Sequence, residues 1–220
     1  MLQWLIRHTL RPLAHAVYRP DISGTIPPKG PVILAANHRS AIDTAVLSLA
    51  VRRPVAFLGK AEYFEGSGLR AKMLAAFLGA LGYVPVDRGN AHAALSALSA
   101  ARTVLDSGGV FGIYPEGTRS LDGKLHRGHT GVASLALATG AVVVPVALSG
   151  TEKVQPIGKK LPRLARIGVR FGEPLDFARY DGLEQSPAIR RAVTDEIMYA
   201  IHELSGQEYV DSYHKLPDAA

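Results

Sequence analysis

PVILAANHRSAID, residues 31–43, decides how the rest of the chain is read. Its first half is an unbroken apolar run of strand length that ends in the polar turn NHRS. A strand buried on both faces reads this way in a parallel sheet, whereas a half-exposed strand alternates. A helix is expected over about 42–51, directly after the turn. Open α/β sheets bind ligands outside the carboxyl ends of their strands, so the turn is a natural place for chemistry.

The same alternation continues in both directions. Further strands are expected at PVAFLG (54–59), YVPV (83–86), GVFGIYP (109–115), AVVVPVAL (141–148) and RIGVRFG (166–172). Helices are expected over 67–80, 91–106, 129–139 and 187–205. Residues 21–30, with two prolines and two glycines, read as a turn-rich connection, and 117–128 as a polar loop. Strands alternating with helices imply an α/β fold, one domain with a largely parallel or mixed central sheet covered by helices on both faces. The expected division is a short amphipathic N-terminal helix within residues 1–20, followed by the domain proper over 21–220.

Composition bounds the function. The chain has 220 residues, 47% hydrophobic and 20% charged, which suits a globular domain with a sizeable core. It contains no cysteine, which excludes disulfides, thiolate metal sites and a cysteine nucleophile. The start, MLQWLIRHTL, lacks a small-residue cleavage site, so no secretory leader is expected. No apolar run reaches the roughly 20 residues that span a bilayer. A net charge of +6 fits an anionic partner. In helix 3–18, Leu2, Leu5, Ile6, Leu10, Leu13 and Val17 recur at helical spacing beside Trp4 and several basic residues. Such a helix can lie in a membrane interface or dock on the domain's own core.

Three further stretches carry candidate chemistry. In the turn, Asp43 can accept a hydrogen bond from one nitrogen of His38 and leave the other free to take a proton. Ser40 is a candidate N-cap. YPEGTRS (114–120) offers Glu116, Gly117, Thr118 and Arg119, a glycine turn with a hydroxyl and a guanidinium that suit a phosphate. Taken alone, this is also an ordinary strand-to-loop turn with an exposed ion pair. Arg88 closes GYVPVDRG, Lys60 follows the strand 54–59, and Arg127 lies beyond YPEGTRS. If these strand ends share one edge, several cations converge on His38. His126 and His129 have no acidic or cysteine partner at metal-ligand spacing, so no metal site is expected. Basic stretches at Arg52–Arg53 and from Lys159 to Arg170 have no interleaved aromatics. They suit a lipid headgroup or a cofactor phosphate, or simply a solvated face, better than nucleic acid.

Together these motifs resemble the glycerolipid acyltransferase family, and in particular bacterial 1-acylglycerol-3-phosphate (lysophosphatidic acid) acyltransferases. Asn37, His38, Ser40 and Asp43 match its N-H-x-S-x-x-D signature, and Gly82 to Arg88 match its strand ending in D-R or N-R. Pro115 to Ser120 match F-P-E-G-T-R-S, with Tyr114 in place of the usual Phe, and Val144, Pro145 and Val146 match V-P-V/I. The basic residue before Gly128 is Arg127, where many relatives carry Lys.

The resemblance implies a glycerol-3-phosphate acyltransferase-like fold and transfer of a fatty acyl group from acyl-CoA or acyl carrier protein to the free hydroxyl of 1-acyl-sn-glycerol-3-phosphate. The product would be phosphatidic acid, and no cofactor or metal is implied. His38 and Asp43 would be catalytic, while Arg88, Glu116, Gly117, Thr118, Arg119, Lys60 and Arg127 would bind substrate. The implied location is peripheral, on an anionic membrane surface at the cytoplasmic face. Rival readings are the same chemistry on glycerol-3-phosphate, another lysophospholipid or a glycolipid, a non-catalytic lipid-binding protein, and a basic nucleic-acid-binding module.

Overall fold

The computed structural model describes residues 2–60, 62, 64–80, 82–86, 91–156, 158–159 and 161–214. Its centre is the strand β2 (Val32–Ala36), whose five residues are all buried. Val32, Leu34 and Ala36 face one side of the sheet, and Ile33 and Ala35 the other, as the twofold alternation of a strand demands. Both faces must therefore be covered. Burying each of the larger side chains stabilises the fold by about 1.5–3 kcal/mol.

The sheet has seven strands. In chain order these are β1 (Asp21–Ser23), β2, β3 (Val55–Lys60), β4 (Tyr83–Val86), β5 (Val110–Ile113), β7 (Val142–Ser149) and β8 (Gly168–Phe171), arranged β1-β8-β7-β2-β5-β3-β4. Five neighbouring strands, β7, β2, β5, β3 and β4, run parallel. β8 pairs antiparallel with β7, and β1 runs parallel to β8. The sheet is thus mixed, with a parallel block at its centre. A separate two-stranded ribbon joins β6 (Leu125–His126) to β9 (Tyr209–Val210).

On one face lie α4 (Ala91–Asp106), α5 (Gly131–Thr139) and α7 (Pro187–Ser205). They bury Leu105, Leu135, Ile197 and Ile201 against Ile33 and Phe111. Ser186 caps α7 by accepting from Ile189 N, and Pro187 occupies the first turn, where its missing N–H costs nothing. The other face carries α2 (Asp43–Ala50) and the short α6 (Thr151–Val154), whose Leu47 and Val154 join Val144, Val146 and Val169. Tyr18, at the end of α1 (Leu2–Tyr18), packs on this same cluster, and α1 also touches α3 (Leu69–Ala80).

The sequence reading placed every long element and missed the short ones. β1 lies in the stretch read as a connection, and β6 in the stretch read as a loop. Each is only two or three residues long, so its pairing comes from the partner strand and leaves no periodicity of its own. Arg53 also departs from its expected place on a solvated or phosphate-binding face. Its guanidinium donates to the carbonyls of Pro27, Gly30 and Gly108. It thus ties together the chain entering β2 and β5, at the sheet edge away from the turn 37–43. Among the described residues, no helix is long and apolar enough to cross a membrane.

Candidate active site

The parallel block decides where the motifs meet. β2, β5, β3 and β4 are neighbours pointing the same way, so the turns after Ala36, Ile113, Lys60 and Val86 all leave from one edge. The strand ends thus share one edge of the sheet, the condition set for the expected convergence of cations. Asp87 and Arg88 lie outside the described residues, as does the side chain of Lys60.

His38 Nδ1 donates to Asp43 Oδ2 at 2.8 Å. The same oxygen accepts from Arg39 N at 2.6 Å and Ser40 N at 2.8 Å. Asp43 is fully buried in the first turn of α2, where the helix dipole favours a negative group. Among the described residues its other oxygen has no hydrogen-bond partner. This arrangement fixes the imidazole tautomer and leaves Nε2 as the nitrogen not engaged by Asp43. Ser40 is no cap, because its hydroxyl donates to Gln155 O at 3.0 Å.

Asn37 ends β2 by imitating a strand residue. Its side-chain oxygen accepts from Leu148 N at 2.7 Å, and its nitrogen donates to Leu148 O at 3.0 Å. The same nitrogen reaches Gln207 Oε1 at 2.6 Å, and Gln207 Nε2 donates to Gly123 O at 2.7 Å. The turn is therefore held from β7 and from the chain after α7, a constraint that neither segment signals in sequence.

His38 and Tyr114 stack with ring centroids 3.9 Å apart. Tyr114 stacks in turn on Phe57 at 6.1 Å, and Phe57 lies 6.2 Å from Tyr83. The Tyr114 hydroxyl pairs with Thr44 Oγ1 at 3.0 Å, which gives the departure from Phe a partner. Phe57 can lie across β5 only because residue 112 is glycine. A Cβ there would stand 2.1 Å from the ring. The rings form one wall of a cavity of about 560 Å³ lined also by His38, Thr44, Gly117, Thr118 and Arg119. Gly117 takes a positive φ of 73°, which turns the chain after Glu116 so that the next two residues line that cavity.

Two residues expected to bind substrate have other partners in the structure. Glu116 is only 1% exposed and does not line the cavity. Its two oxygens accept from His38 N at 3.2 Å and His126 N at 2.9 Å, so it joins the two motif loops. Arg127 is likewise absent from the cavity lining; it pairs with Asp211 at 3.5 Å and lies 5.7 Å from the Tyr213 ring centroid. Of the expected binding residues, the structure brings Gly117, Thr118 and Arg119 to His38.

The comparisons with known proteins identify the family. The family model described as Acyltransferase matches residues 19–149. This chain belongs to the acyltransferase family. It is 36% identical over 134 residues to a 1-acyl-sn-glycerol-3-phosphate acyltransferase of Chlamydomonas reinhardtii, covering 61% of this chain and 39% of that one. The enzyme of the same name from Bacillus subtilis is 28% identical over 177 residues, with 78% and 82% covered. The crystal structure of the 1-acyl-sn-glycerophosphate (LPA) acyltransferase PlsC from Thermotoga maritima superposes with a TM-score of 0.67 at 26% identity, over 92% of this chain and 79% of that one. Against the Chlamydomonas enzyme and two plant chloroplast relatives, the chain spans about two fifths of their length.

Burial pushes the Glu116 carboxyl up from its ordinary 4.5 to about 7, against the pull of the two backbone donors. Between those values the folded chain holds a proton that the unfolded chain has released. The stability this group contributes is therefore full below 4.5 and declines as pH rises to 7. Unfolding free energy measured by urea titration at about pH 5 and about pH 8 should fall further for the wild-type chain than for Glu116→Gln, which cannot ionise. Equal falls would show that the carboxyl does not titrate in that window.

Proposed function

We propose that this acyltransferase moves a fatty acyl group from the thioester of acyl-CoA or acyl carrier protein to the free hydroxyl of 1-acyl-sn-glycerol-3-phosphate, forming phosphatidic acid. The observation that carries the reading is the Asp43-oriented His38 on the same cavity as Thr118 and Arg119. The names of the relatives support the choice of acceptor.

In this mechanism His38 Nε2 takes the proton of the acceptor hydroxyl as its oxygen attacks the thioester carbonyl. The C–S bond then breaks, and the imidazolium returns the proton to the departing thiolate. Asp43 holds Nδ1–H throughout and stabilises the charged ring. No covalent enzyme intermediate is needed. The acceptor phosphate sits at the turn 117–119, where Arg119 supplies a planar fork and Thr118 a hydroxyl.

The substrate is a lipid, and the surface suits a peripheral location on the cytoplasmic face of an anionic membrane. Leu161 and Leu164 are 81% and 78% exposed, and Lys159, Arg163 and Arg166 are exposed around them. Pro162 from this loop and Ala14, His15 and Tyr18 from α1 line one apolar cavity of about 220 Å³, so the loop and the helix end are neighbours. Leu13 and Val17 of that helix are also exposed. Apolar side chains ringed by cations match an anionic lipid interface.

His38→Ala should lower acyl transfer at least about a hundredfold, the low end for loss of a general base, while the chain stays folded. Near-normal turnover in a radiolabelled acyl-CoA assay would sink this role. Arg119→Ala should raise the apparent KM for the phosphorylated acceptor roughly tenfold or more and change kcat less. An unaltered KM would move the phosphate elsewhere. Replacing both Leu161 and Leu164 with Ser should weaken co-sedimentation with anionic liposomes several-fold. Retention equal to that of the unaltered chain would remove this loop from the membrane surface.

A further inference from the structure

The sequence offered no metal-ligand partner to His126, but the fold brings two. Asp122 lies four residues before it, and its carboxylate oxygens stand 3.1 Å from His126 Nε2. His214, 88 positions later in sequence, lies against His126 with ring centroids 4.3 Å apart and the ring planes tilted by 45°. The ribbon β6–β9 makes this possible, together with Arg127 N donating to Ser212 O at 3.1 Å. One donor atom from each of the three residues falls within 4.8 Å of the others.

The polar atoms here are under-satisfied. His126, only 6% exposed, turns its Nε2 to Asp122, and among the described residues the buried Nε2 of His214 has no hydrogen-bond partner. Buried imidazole nitrogens normally find partners, so an unpartnered one beside a second imidazole and a carboxylate points to a missing ligand. We propose that Asp122, His126 and His214 form a binding site for one divalent transition-metal ion, with zinc the best chemical fit. Two imidazoles and one carboxylate form a common zinc donor set, with a fourth position left for water. A tetrahedral ion with bonds of about 2.0–2.1 Å sets its ligands about 3.4 Å apart. The Asp122–His126 separation is already close to this, and His214 closes the remainder by a small side-chain movement.

The ion would act as a structural tie. It joins the loop carrying Thr118 and Arg119 to the chain that follows α7. That loop is coupled to His38 through Ser120, whose hydroxyl donates to Asp122 Oδ1 at 3.0 Å and whose backbone N donates to His38 O at 2.7 Å. The site is separate from the cavity lined by His38 and takes no part in acyl transfer, so it stands or falls independently of the proposed reaction.

The test uses the full chain, stripped with a chelator and then dialysed against zinc. Wild-type protein should bind about one more zinc per chain than His214→Ala or Asp122→Asn, both of which alter residues that are not fully buried. Its Tm should rise by roughly 5 °C once zinc exceeds its Kd a hundredfold, with little rise in either variant. Cobalt in place of zinc should give visible absorption bands in the wild type alone. Failure of the wild type to bind zinc saturably would overturn the site. So would equal binding by wild type and both variants, which would place the ion on other histidines.

Discussion

The Glu116 carboxyl is the joint on which the candidate site depends. Shut away from solvent, it accepts one backbone N–H from the loop after β2 and another from β6. The sheet is held to its helices by apolar packing, which is non-directional and tolerates small displacements of the loops. A carboxyl bridging two N–H groups is directional. It sets how far His38 stands from the turn that holds Thr118 and Arg119, and does so without entering the cavity itself.

The same division of labour runs through the first motif. Of its four matching residues, only His38 lines the cavity; Asn37, Ser40 and Asp43 are buried beneath it. Asn37 completes the pairing of β2 with β7, Ser40 reaches the chain after α6, and Asp43 collects two backbone N–H groups as well as the imidazole. A seven-residue signature thus secures a single imidazole from three directions. The turn lies within residues 19–149, the part of the chain that the acyltransferase family model matches.

Much of this could be read from sequence. The run 31–37 has strand length, no alternation and a polar end, and its burial on both faces follows from that. The strand-end placement of His38 and of YPEGTRS is equally local. What could not be read depends on contacts between distant positions. The chemistry of Glu116 suggests a ligand contact, and only the approach of His126 N gives it another task. Arg127 and Arg53 look like free cations until Asp211 and three carbonyls meet them. Gln207, which steadies Asn37 from 170 residues away, carries no local signal at all. Helical and strand periods report which face is buried, and they say nothing about which loop a polar side chain will find.

The missing side chain at residue 112 has a consequence for how such a cavity can change. Since Phe57 lies over bare backbone, part of the cavity wall is an aromatic ring hung from β3 rather than the sheet itself. A shorter residue at 57 would deepen the chamber, and a bulkier one at 112 would displace the ring, with no strand required to move in the first case. The room in the cavity can therefore drift by single substitutions while the imidazole and its supports stay as they are.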